Sequence, residues 1–408
     1  MAMSCRCACG ILRTMTLVHT ARLVGVEGEH LTITASAAAN DALLLNRYAF
    51  PNYGGDSMRV REATVRVSAA LVASDTAVLG KPPVAFDVKG LDYGFDLALA
   101  VADATFDDAS AMLEIGCVAS LGLGGELRPV RGCLARVKAI ADTGACRTVV
   151  VCDEDLPEAS LAENVTVYGA RHLRPVLEFA RTGRPGHGLT LGARTTLTPE
   201  LDNERQWSTM PVPVLPEQVP RTGDVLLISP SYVSNEYRVS SVARAALYEL
   251  GALGPLQALE VLAIRSAAGI GMAPAGAVRP ARAPHCSVSE RGLIGFELTP
   301  TIWSFGEVSM ATHGVLVLDE LGDWRTSSIE AMARVLEQGH VKYRRADGVE
   351  VRLPARPARI IASTLPCPCG RLGSPEGRCT CKAEHVDAFR ARVTKHAQLL
   401  KLKTVSLP

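Results

Sequence analysis

HGVLVLDELGDW, residues 313–324, gives the strongest indication of the fold in the second half of the chain. Its apolar run Val315–Leu318 is typical of a short buried strand, and two carboxylates, Asp319 and Glu320, follow that run directly. Paired carboxylates at the end of such a strand can hold Mg²⁺ and orient a water molecule for nucleotide hydrolysis. They can equally be a strand-end cap or a surface pair. A hydrolytic strand of this kind needs a phosphate loop upstream.

Strand-like and helical segments alternate on both sides of this stretch. Upstream, the apolar run Asp224–Ile228 predicts a strand, and Ser241–Leu250 predicts a helix. Downstream, residues 327–339 have the three-and-four apolar spacing of an amphipathic helix that ends at Gly339. Strands that alternate with helices favour a parallel sheet. The pair Asp347-Gly348, between two alternating stretches, predicts a hairpin with a two-residue type I′ turn.

The first half of the chain shows the same mixture of patterns and predicts another α/β domain. Its strand-like runs are Leu31–Ala35, Thr64–Val67 and Arg147–Cys152, and its helical runs are Phe95–Ala104 and Gly132–Thr143. The predicted organisation is an extension or mis-assigned start at residues 1–14, a first domain at 15–183, a Pro/Thr/Gly-rich linker at 184–221 and a second domain at 222–408.

Composition limits the classes of protein that this chain can represent. Its 408 residues carry 43 Lys+Arg against 42 Asp+Glu, so no global charge attracts it to nucleic acid. Every apolar run is interrupted well short of the roughly 20 residues that a membrane span needs. The N-terminus is a poor secretory signal. These features predict a cytoplasmic protein without a membrane partner.

Several motifs, in this order, resemble the ComM (YifB-like) branch of the magnesium chelatase D/I family of AAA+ ATPases. The resemblance implies an N-terminal ribosomal-S5/Lon-like α/β domain followed by a P-loop AAA+ α/β domain. It also implies a hexameric ATPase, ATP and Mg²⁺ as cofactors, and DNA processing in natural transformation through branch migration. The matching segments are ARLVGVEG, GFDLALAVA, GELRPVRGCLARV, VTVYGARHLRPVLEF, RPARAPHCSVSERGLIG, FGEVSMATHGVLVLDEL and IIASTLPCPCGRLG.

The phosphate loop of this chain departs from the family pattern. Active members carry Gly-x-x-x-x-Gly-Lys-Ser/Thr, in which backbone N–H groups and the Lys hold the phosphates and the hydroxyl binds Mg²⁺. The matching segment here begins with Ser229 and Pro230, and it places Asn235 at the Lys position and Glu236 at the Ser/Thr position. Arg238 is a possible electrostatic substitute. We therefore predict a degenerate Walker A loop.

Two further positions depart from the pattern that the resemblance implies. The family's water-positioning Asn is replaced by Leu365, which cannot hydrogen-bond a water molecule. At the expected place of the arginine finger the chain offers Lys401 and Lys403. The chain then reaches Pro408, and the predicted AAA+ core is truncated, without the helical lid.

The first domain also lacks the chemistry of a Lon peptidase, which uses a Ser–Lys dyad. The position that matches the serine is Gly94, and the position that matches the lysine is Leu134. Neither residue can act as a nucleophile or a base. We predict that this domain is not a protease and that it serves as a scaffold, an oligomer contact or a nucleic-acid surface.

Two groups of cysteines have different expected roles. Two C-x-C pairs separated by nine residues can fold back to present four thiolates to Zn²⁺, although reduced cysteines around a tight turn are the alternative. The pair His285-Cys286 is a weaker candidate for a nucleophile, since no hydrolase context surrounds it. The predicted zinc ligands are Cys367, Cys369, Cys379 and Cys381.

The predicted hairpin is rich in cations and is a candidate DNA contact. Phosphate binding by these cations would depend on salt, whereas the alternative is a solvated edge hairpin whose charges oppose aggregation. The candidate nucleic-acid residues are Lys342, Arg344, Arg345 and Arg352, and Arg356 and Arg359 add to the local charge.

These patterns together predict a non-hydrolysing binding or regulatory module related to DNA processing. The alternative is an active ATP-dependent DNA motor with an unusual phosphate loop or with groups supplied by a partner subunit. The expected assembly is a homo-hexamer or a mixed ring with an active paralogue. Asp319 and Glu320 are the predicted catalytic pair, with Asp319 as the Mg²⁺ ligand.

Overall fold

The computed structural model contains two compact units, residues 1–196 with 265–272, and residues 197–264 with 273–408. Within these units the structure describes residues 15–39, 47–52, 58–76, 81–88, 92, 94–106, 114–193, 214–229, 238–271, 277–299, 302–344, 348–373 and 378–407, together with a short antiparallel ladder of β1 (Cys5–Arg6) and β2 (Leu12–Arg13).

The first unit is built on a mixed eight-stranded sheet with the order β12-β11-β10-β7-β3-β4-β6-β5. β3 pairs antiparallel with β4 over nine residue pairs, and β7, β10 and β11 are parallel neighbours. A small ladder, β8 (Ser120–Leu121) with β9 (Leu127–Arg128), lies outside this sheet. The strands of the sheet are β3 (Thr16–Val24), β4 (Glu27–Ala37), β5 (Tyr48–Ala49), β6 (Val84–Asp87), β7 (Ile115–Val118), β10 (Thr148–Cys152), β11 (Thr166–Ala170) and β12 (Leu189–Leu191).

Helices cover both faces of this sheet, since successive side chains of a strand point to opposite faces. In β10, Val150 and Cys152 join the core formed with α1, α2 and α5, whereas Val149 and Val151 join the core formed with α3 and α4. The helices are α1 (Met58–Ala73), α2 (Asp96–Thr105), α3 (Cys133–Thr143), α4 (Leu156–Ala159) and α5 (Leu173–Thr182). This layering confirms the predicted α/β class.

Two segments of this unit differ from the expectations drawn from the sequence. The run Thr64–Val67, predicted as a strand, lies inside α1, where the buried positions Val60, Val67 and Leu71 follow a helical spacing. The β-branched residues of the run fit a helix because tertiary packing overrides local propensity. β12 lies within the predicted linker at 184–221 and pairs antiparallel with β11.

The second unit contains a parallel five-stranded sheet with the order β14-β17-β20-β13-β21. Every pair in this sheet is parallel, which confirms the parallel sheet predicted from the alternation of strands and helices. Its strands are β13 (Val225–Ile228), β14 (Ala281–Arg282), β17 (Val315–Leu318), β20 (Arg359–Thr364) and β21 (Lys403–Ser406).

Helices and two hairpins complete the second unit. α6 packs its Val242, Ala243 and Ala246 against Val225, Leu227 and Val317 of the sheet. Of α7 (Pro255–Ala268), the last four residues belong to the first unit. The remaining elements are α6 (Val239–Leu250), α8 (Glu290–Ile294), β15 (Gly295–Thr299), β16 (Ile302–Phe305), α9 (Glu307–Met310), a 3₁₀ helix (Leu321–Asp323), α10 (Thr326–Gln338), β18 (His340–Arg344), β19 (Glu350–Pro354) and α11 (Ala383–Leu399).

The hairpin of β18 and β19 forms where it was predicted. Its last described pair joins Arg344 to Glu350. Gly348 of the predicted turn has φ +83°, a left-handed conformation that glycine adopts readily. Asp347, the other residue of that turn, lies outside the described residues.

Within the described residues, no helix is both long enough and apolar enough to cross a bilayer.

Candidate functional site

Asp319 and Glu320 follow β17 at the carboxyl end of the second sheet, and both are exposed. The Asp319 Oδ1 atom accepts hydrogen bonds from the backbone N–H of Glu320 at 3.0 Å and from the hydroxyl of Ser363. This second contact follows from the register, which pairs Leu318 with Ala362 and so makes the next residues neighbours. Glu320 has φ +52°, a left-handed conformation that is uncommon for residues other than glycine and often occurs at functional sites.

A buried tryptophan holds the backbone of the Asp319–Glu320 turn through a hydrogen bond. Trp324 is 2% exposed, and its Nε1 donates to the carbonyl oxygen of Asp319 at 2.8 Å. Because the indole has a single donor, this bond satisfies its only polar group. The backbone that presents the two carboxylates is thus tied to the core of the unit.

β20 lies between β17 and β13, so its end separates the carboxylates from Ser229, the start of the predicted phosphate-loop segment. The backbone N–H of Ser229 donates to the carbonyl of Thr364 at 3.2 Å, which places Ser229 beside Leu365. Among the described residues that follow β17, β20 and β13, Asp319 and Glu320 have carboxylates, Ser229 has a hydroxyl and Leu365 has a hydrocarbon side chain. Pro230, Asn235 and Glu236 lie outside the described residues.

The pair His285-Cys286 lies close enough to the carboxylates to feel their charge. Desolvation, followed by the negative charges of Glu320 and Asp323, raises the pKa of the Cys286 thiol. His285 Nδ1 lies 2.8 Å from the Ser287 hydroxyl and 3.8 Å from the Cys286 sulfur. A thiol with a raised pKa is a poor nucleophile, which favours the non-catalytic interpretation of this pair.

The four predicted zinc ligands come together in the segment between β20 and α11. The Sγ atom of Cys367 lies 3.5 Å from that of Cys369 and 3.7 Å from that of Cys379, and Cys369 and Cys379 are 3.6 Å apart. The sulfurs of all four cysteines, Cys381 included, lie within 4.8 Å of one another. Four sulfurs placed tetrahedrally at about 2.3 Å from a zinc ion are about 3.8 Å apart. The cluster thus has the dimensions of a four-thiolate metal site.

Local backbone structure explains why two C-x-C pairs can meet in this way. The N–H of Gly370 donates to the carbonyl of Cys367 at 2.9 Å and closes a tight turn, in which Gly370 has φ +73°. A residue with a side chain rarely adopts that φ. The backbone N–H of Arg371 lowers the pKa of the Cys369 thiol, whereas the hydrogen bond with Cys369 raises the pKa of the Cys381 thiol.

Salt bridges engage several cations of the β18–β19 hairpin region. Glu350 binds both Lys342, at 2.6 Å, and Arg352, at 2.8 Å. Arg344 is exposed, and Arg345 lies outside the described residues. The structure therefore groups Lys342 and Arg352 around one carboxylate.

Two other arginines of this region have contacts inside the second unit. Arg356 pairs with Glu260. Arg359 is only 2% exposed and donates to the carbonyls of Pro220, Arg221 and Gly223. Arg359 is thus part of the interior and is not available to a DNA phosphate.

In the first unit, the two positions that match a peptidase dyad have structural surroundings. Gly94 has φ +100°, and a Cβ atom there would lie 2.9 Å from Val130. Leu134 is 4% exposed and donates its backbone N–H to Glu158. Neither position offers a reactive group.

Sequence reasoning missed three residues that the structure connects to these sites. Ser363 lies two residues before Leu365, and its contact with Asp319 becomes visible only once β17 and β20 are paired. Glu350 lies in the hairpin register opposite Arg344. Trp324 closes the quoted stretch, but no pattern shows that its indole faces Asp319.

Comparison with known proteins agrees with this arrangement. The family model "Magnesium chelatase, subunit ChlI" matches residues 239–399. The uncharacterized protein Rv2897c of Mycobacterium tuberculosis is 31% identical over 385 residues, which cover 93% of this chain and 69% of that protein.

Two further relatives carry the names that the motifs suggest. YifB of Salmonella typhimurium is 26% identical over 392 residues, and the competence protein ComM of Haemophilus influenzae is 25% identical over 396 residues. Each match covers 90% of this chain and 71% of the relative. The chain therefore belongs to the ComM and YifB branch of the magnesium chelatase family of AAA+ proteins.

Proposed function

We propose that this chain is a non-hydrolysing member of its family and serves as a binding or regulatory module in DNA processing. The observation that carries the proposal is the end of β20, where Leu365 follows the strand that separates Asp319 from Ser229. A hydrocarbon side chain stands where a polar group would have to position the attacking water.

Electrostatics at the same edge supports this interpretation. The exposed carboxylates of Asp319 and Glu320 repel a polyphosphate unless a cation lies between them. The sequence puts Asn235 and Glu236 where a phosphate-binding Lys and a Mg²⁺-binding hydroxyl belong. Loss of one electrostatic stabiliser commonly lowers a rate by about 10²–10³-fold. ATP and Mg²⁺ are then weak ligands, and turnover is negligible.

Phosphate release from ATP by the purified protein tests the proposal. The assay compares the wild-type chain with Glu320→Gln, in the presence of Mg²⁺ and with or without single-stranded DNA. We expect equal, background rates for both proteins. DNA-stimulated release that disappears in Glu320→Gln would contradict the proposal and support a working motor.

The relation to DNA processing rests on the similarity to ComM, a competence protein, and on the cationic hairpin. Phosphate contacts from Arg344 and Arg352 would give salt-dependent binding of single-stranded DNA. A homo-hexamer or a mixed ring with an active paralogue would place such hairpins around one opening. Fluorescence anisotropy with a labelled oligonucleotide at increasing salt measures this binding.

The proposal includes a structural Zn²⁺ ion at the cysteine cluster. Sulfur separations of 3.5–3.7 Å fit the tetrahedral arrangement that Zn²⁺ prefers, and an all-thiolate set without an open position is typical of structural sites. Metal analysis of the purified protein should find about one zinc per chain. Cobalt substitution should give the visible spectrum of a tetrahedral thiolate complex.

A further inference from the structure

The cysteine cluster occupies the covalent connection between β20 and α11. Cys367 lies three residues after Thr364, the last residue of β20, and Cys381 lies two residues before Ala383, the first residue of α11. A metal ion bound by all four sulfurs would close this connection into a short loop and fix where α11 begins. This inference rests on the zinc site proposed above.

The first half of α11 packs on the segment that follows the two carboxylates. The Phe389 ring lies against Gly322, so closely that a Cβ atom on Gly322 would be 2.4 Å from the ring. The space beside the ring has no room for a side chain at position 322. The 3₁₀ helix can therefore approach α11 only because this residue is glycine.

A buried histidine joins the second half of α11 to the same segment. His396 is 0% exposed, with its Nδ1 3.0 Å from the carbonyl oxygen of Leu321 and its Nε2 3.0 Å from the Thr326 hydroxyl. Burial lowers the pKa of His396, so the ring is neutral and has one donor and one acceptor nitrogen. The pair of contacts spans the 3₁₀ helix from its start to the start of α10.

The contacts continue from this segment to the carboxylate turn. Trp324, within the segment, donates to the backbone carbonyl of Asp319. Arg390 of α11 also contacts the segment just after β20. It donates to the carbonyl oxygen of Pro366, the residue before Cys367, at 3.4 Å. A continuous set of contacts thus runs from the cysteines through α11 to Asp319 and Glu320.

We infer that metal binding by the four cysteines holds α11 against residues 321–326 and thereby sets the position of the Asp319–Glu320 turn. The ion acts as a clasp: it makes no contact with a nucleotide and orders the edge at which a nucleotide or a regulatory partner would bind. Without it, no sulfur–metal bonds join the two ends of this connection, and α11 loses its fixed starting point.

Hydrogen exchange measured by mass spectrometry tests the clasp, with zinc content determined on the same samples. The wild-type protein is compared before and after chelation and after zinc is returned. We expect exchange in residues 319–326 and 383–396 to become about tenfold faster or more on chelation, and to recover with zinc. Exchange in 225–228, the strand β13 that is paired on both sides, should stay slow.

Cys379→Ser provides the matching variant, and Cys286→Ser, another partly exposed cysteine, is its control. Cys379→Ser should lose zinc and reproduce the chelated pattern, whereas Cys286→Ser should change neither. If zinc is lost without faster exchange in 319–326, or if 225–228 opens equally, the clasp is contradicted. If the wild-type protein contains no zinc and binds none, the metal site itself is contradicted. Chelation of the wild-type protein decides the matter even if Cys379→Ser does not fold.

Discussion

Two candidate sites lie beyond the end of β20, the nucleotide edge and the cysteine cluster. They differ in how many of the expected functional groups are present. On the nucleotide side, the resemblance to active family members predicts a polar residue and a glycine at the positions of Leu365 and Ser229. A few residues further on, all four cysteines are present, and their sulfurs lie within 4.8 Å of one another. Under the proposed function, the chain has lost the groups for catalysis and kept the groups for a structural metal. Substitutions at each of the two sites test this contrast.

The largest effect is expected for Cys367→Ser. Cys367 is buried, and metal-binding energy contributes to folding energy. Loss of several kcal/mol should lower the Tm of the protein by about 10 °C, since each kcal/mol shifts the Tm of a domain of this size by about 2–4 °C. Differential scanning calorimetry, with zinc analysis of each sample, measures this change. An unchanged Tm after complete zinc loss would show that the cluster does not stabilise the fold.

The next largest effect is expected for Gly322→Ala, which acts on the contact between the two sites. The added methyl group would lie 2.4 Å from the Phe389 ring, and overpacking of this kind costs about 1–3 kcal/mol. Urea unfolding measures the change in the free energy of unfolding. Gly186→Ala is the matched control, because a Cβ atom there meets nothing within 4 Å. Equal stabilities of the two variants would mean that α11 can move away from Gly322 without loss.

A gain in nucleotide affinity is expected when the missing groups are restored. The triple substitution Asn235→Lys, Glu236→Thr and Leu365→Asn removes a carboxylate that repels the phosphates of ATP and adds a cation that attracts them. It also supplies a polar group at the end of β20. Affinity for ATP with Mg²⁺ should increase about tenfold or more, which corresponds to about 1.4 kcal/mol. Isothermal titration calorimetry of both proteins provides the measurement. No gain would show that the backbone of the loop has also lost its shape.

The smallest of these effects is expected at the hairpin. Glu350→Gln removes the carboxylate that pairs with Lys342 and Arg352. The affinity for single-stranded DNA should rise severalfold, and its salt dependence should steepen by about 1 for each cation that reaches a phosphate. Anisotropy titrations at several salt concentrations give both quantities. Glu337→Gln, which breaks the exposed pair with Lys401, controls for the change in net charge. Equal behaviour of the two variants would exclude the hairpin as the DNA contact.

Much of the second unit could be predicted because its signals are local. The apolar run Val315–Leu318 and the apolar spacing of residues 327–339 give the strand and the helix that the structure contains. The C-x-C pairs likewise predicted which sulfurs come together. These patterns succeed because burial of one face dictates periodicity, and because thiolate spacing limits metal geometry.

The features that could not be predicted depend on contacts distant in sequence. Ser363 meets Asp319 only because β17 and β20 are neighbours in register. Thr64–Val67 has a local preference for a strand, but packing of α1 against α2 decides for a helix. Neither propensity nor spacing contains this information.

Calorimetric titration of the wild-type protein and Asp319→Asn with ATP and Mg²⁺ shows whether the nucleotide edge binds ATP. If the nucleotide edge has lost its chemistry, neither protein binds ATP saturably up to about 1 mM, and the two titrations coincide. Saturable binding by the wild-type protein that disappears in Asp319→Asn would show a working Mg²⁺ and nucleotide site, and would contradict the claim.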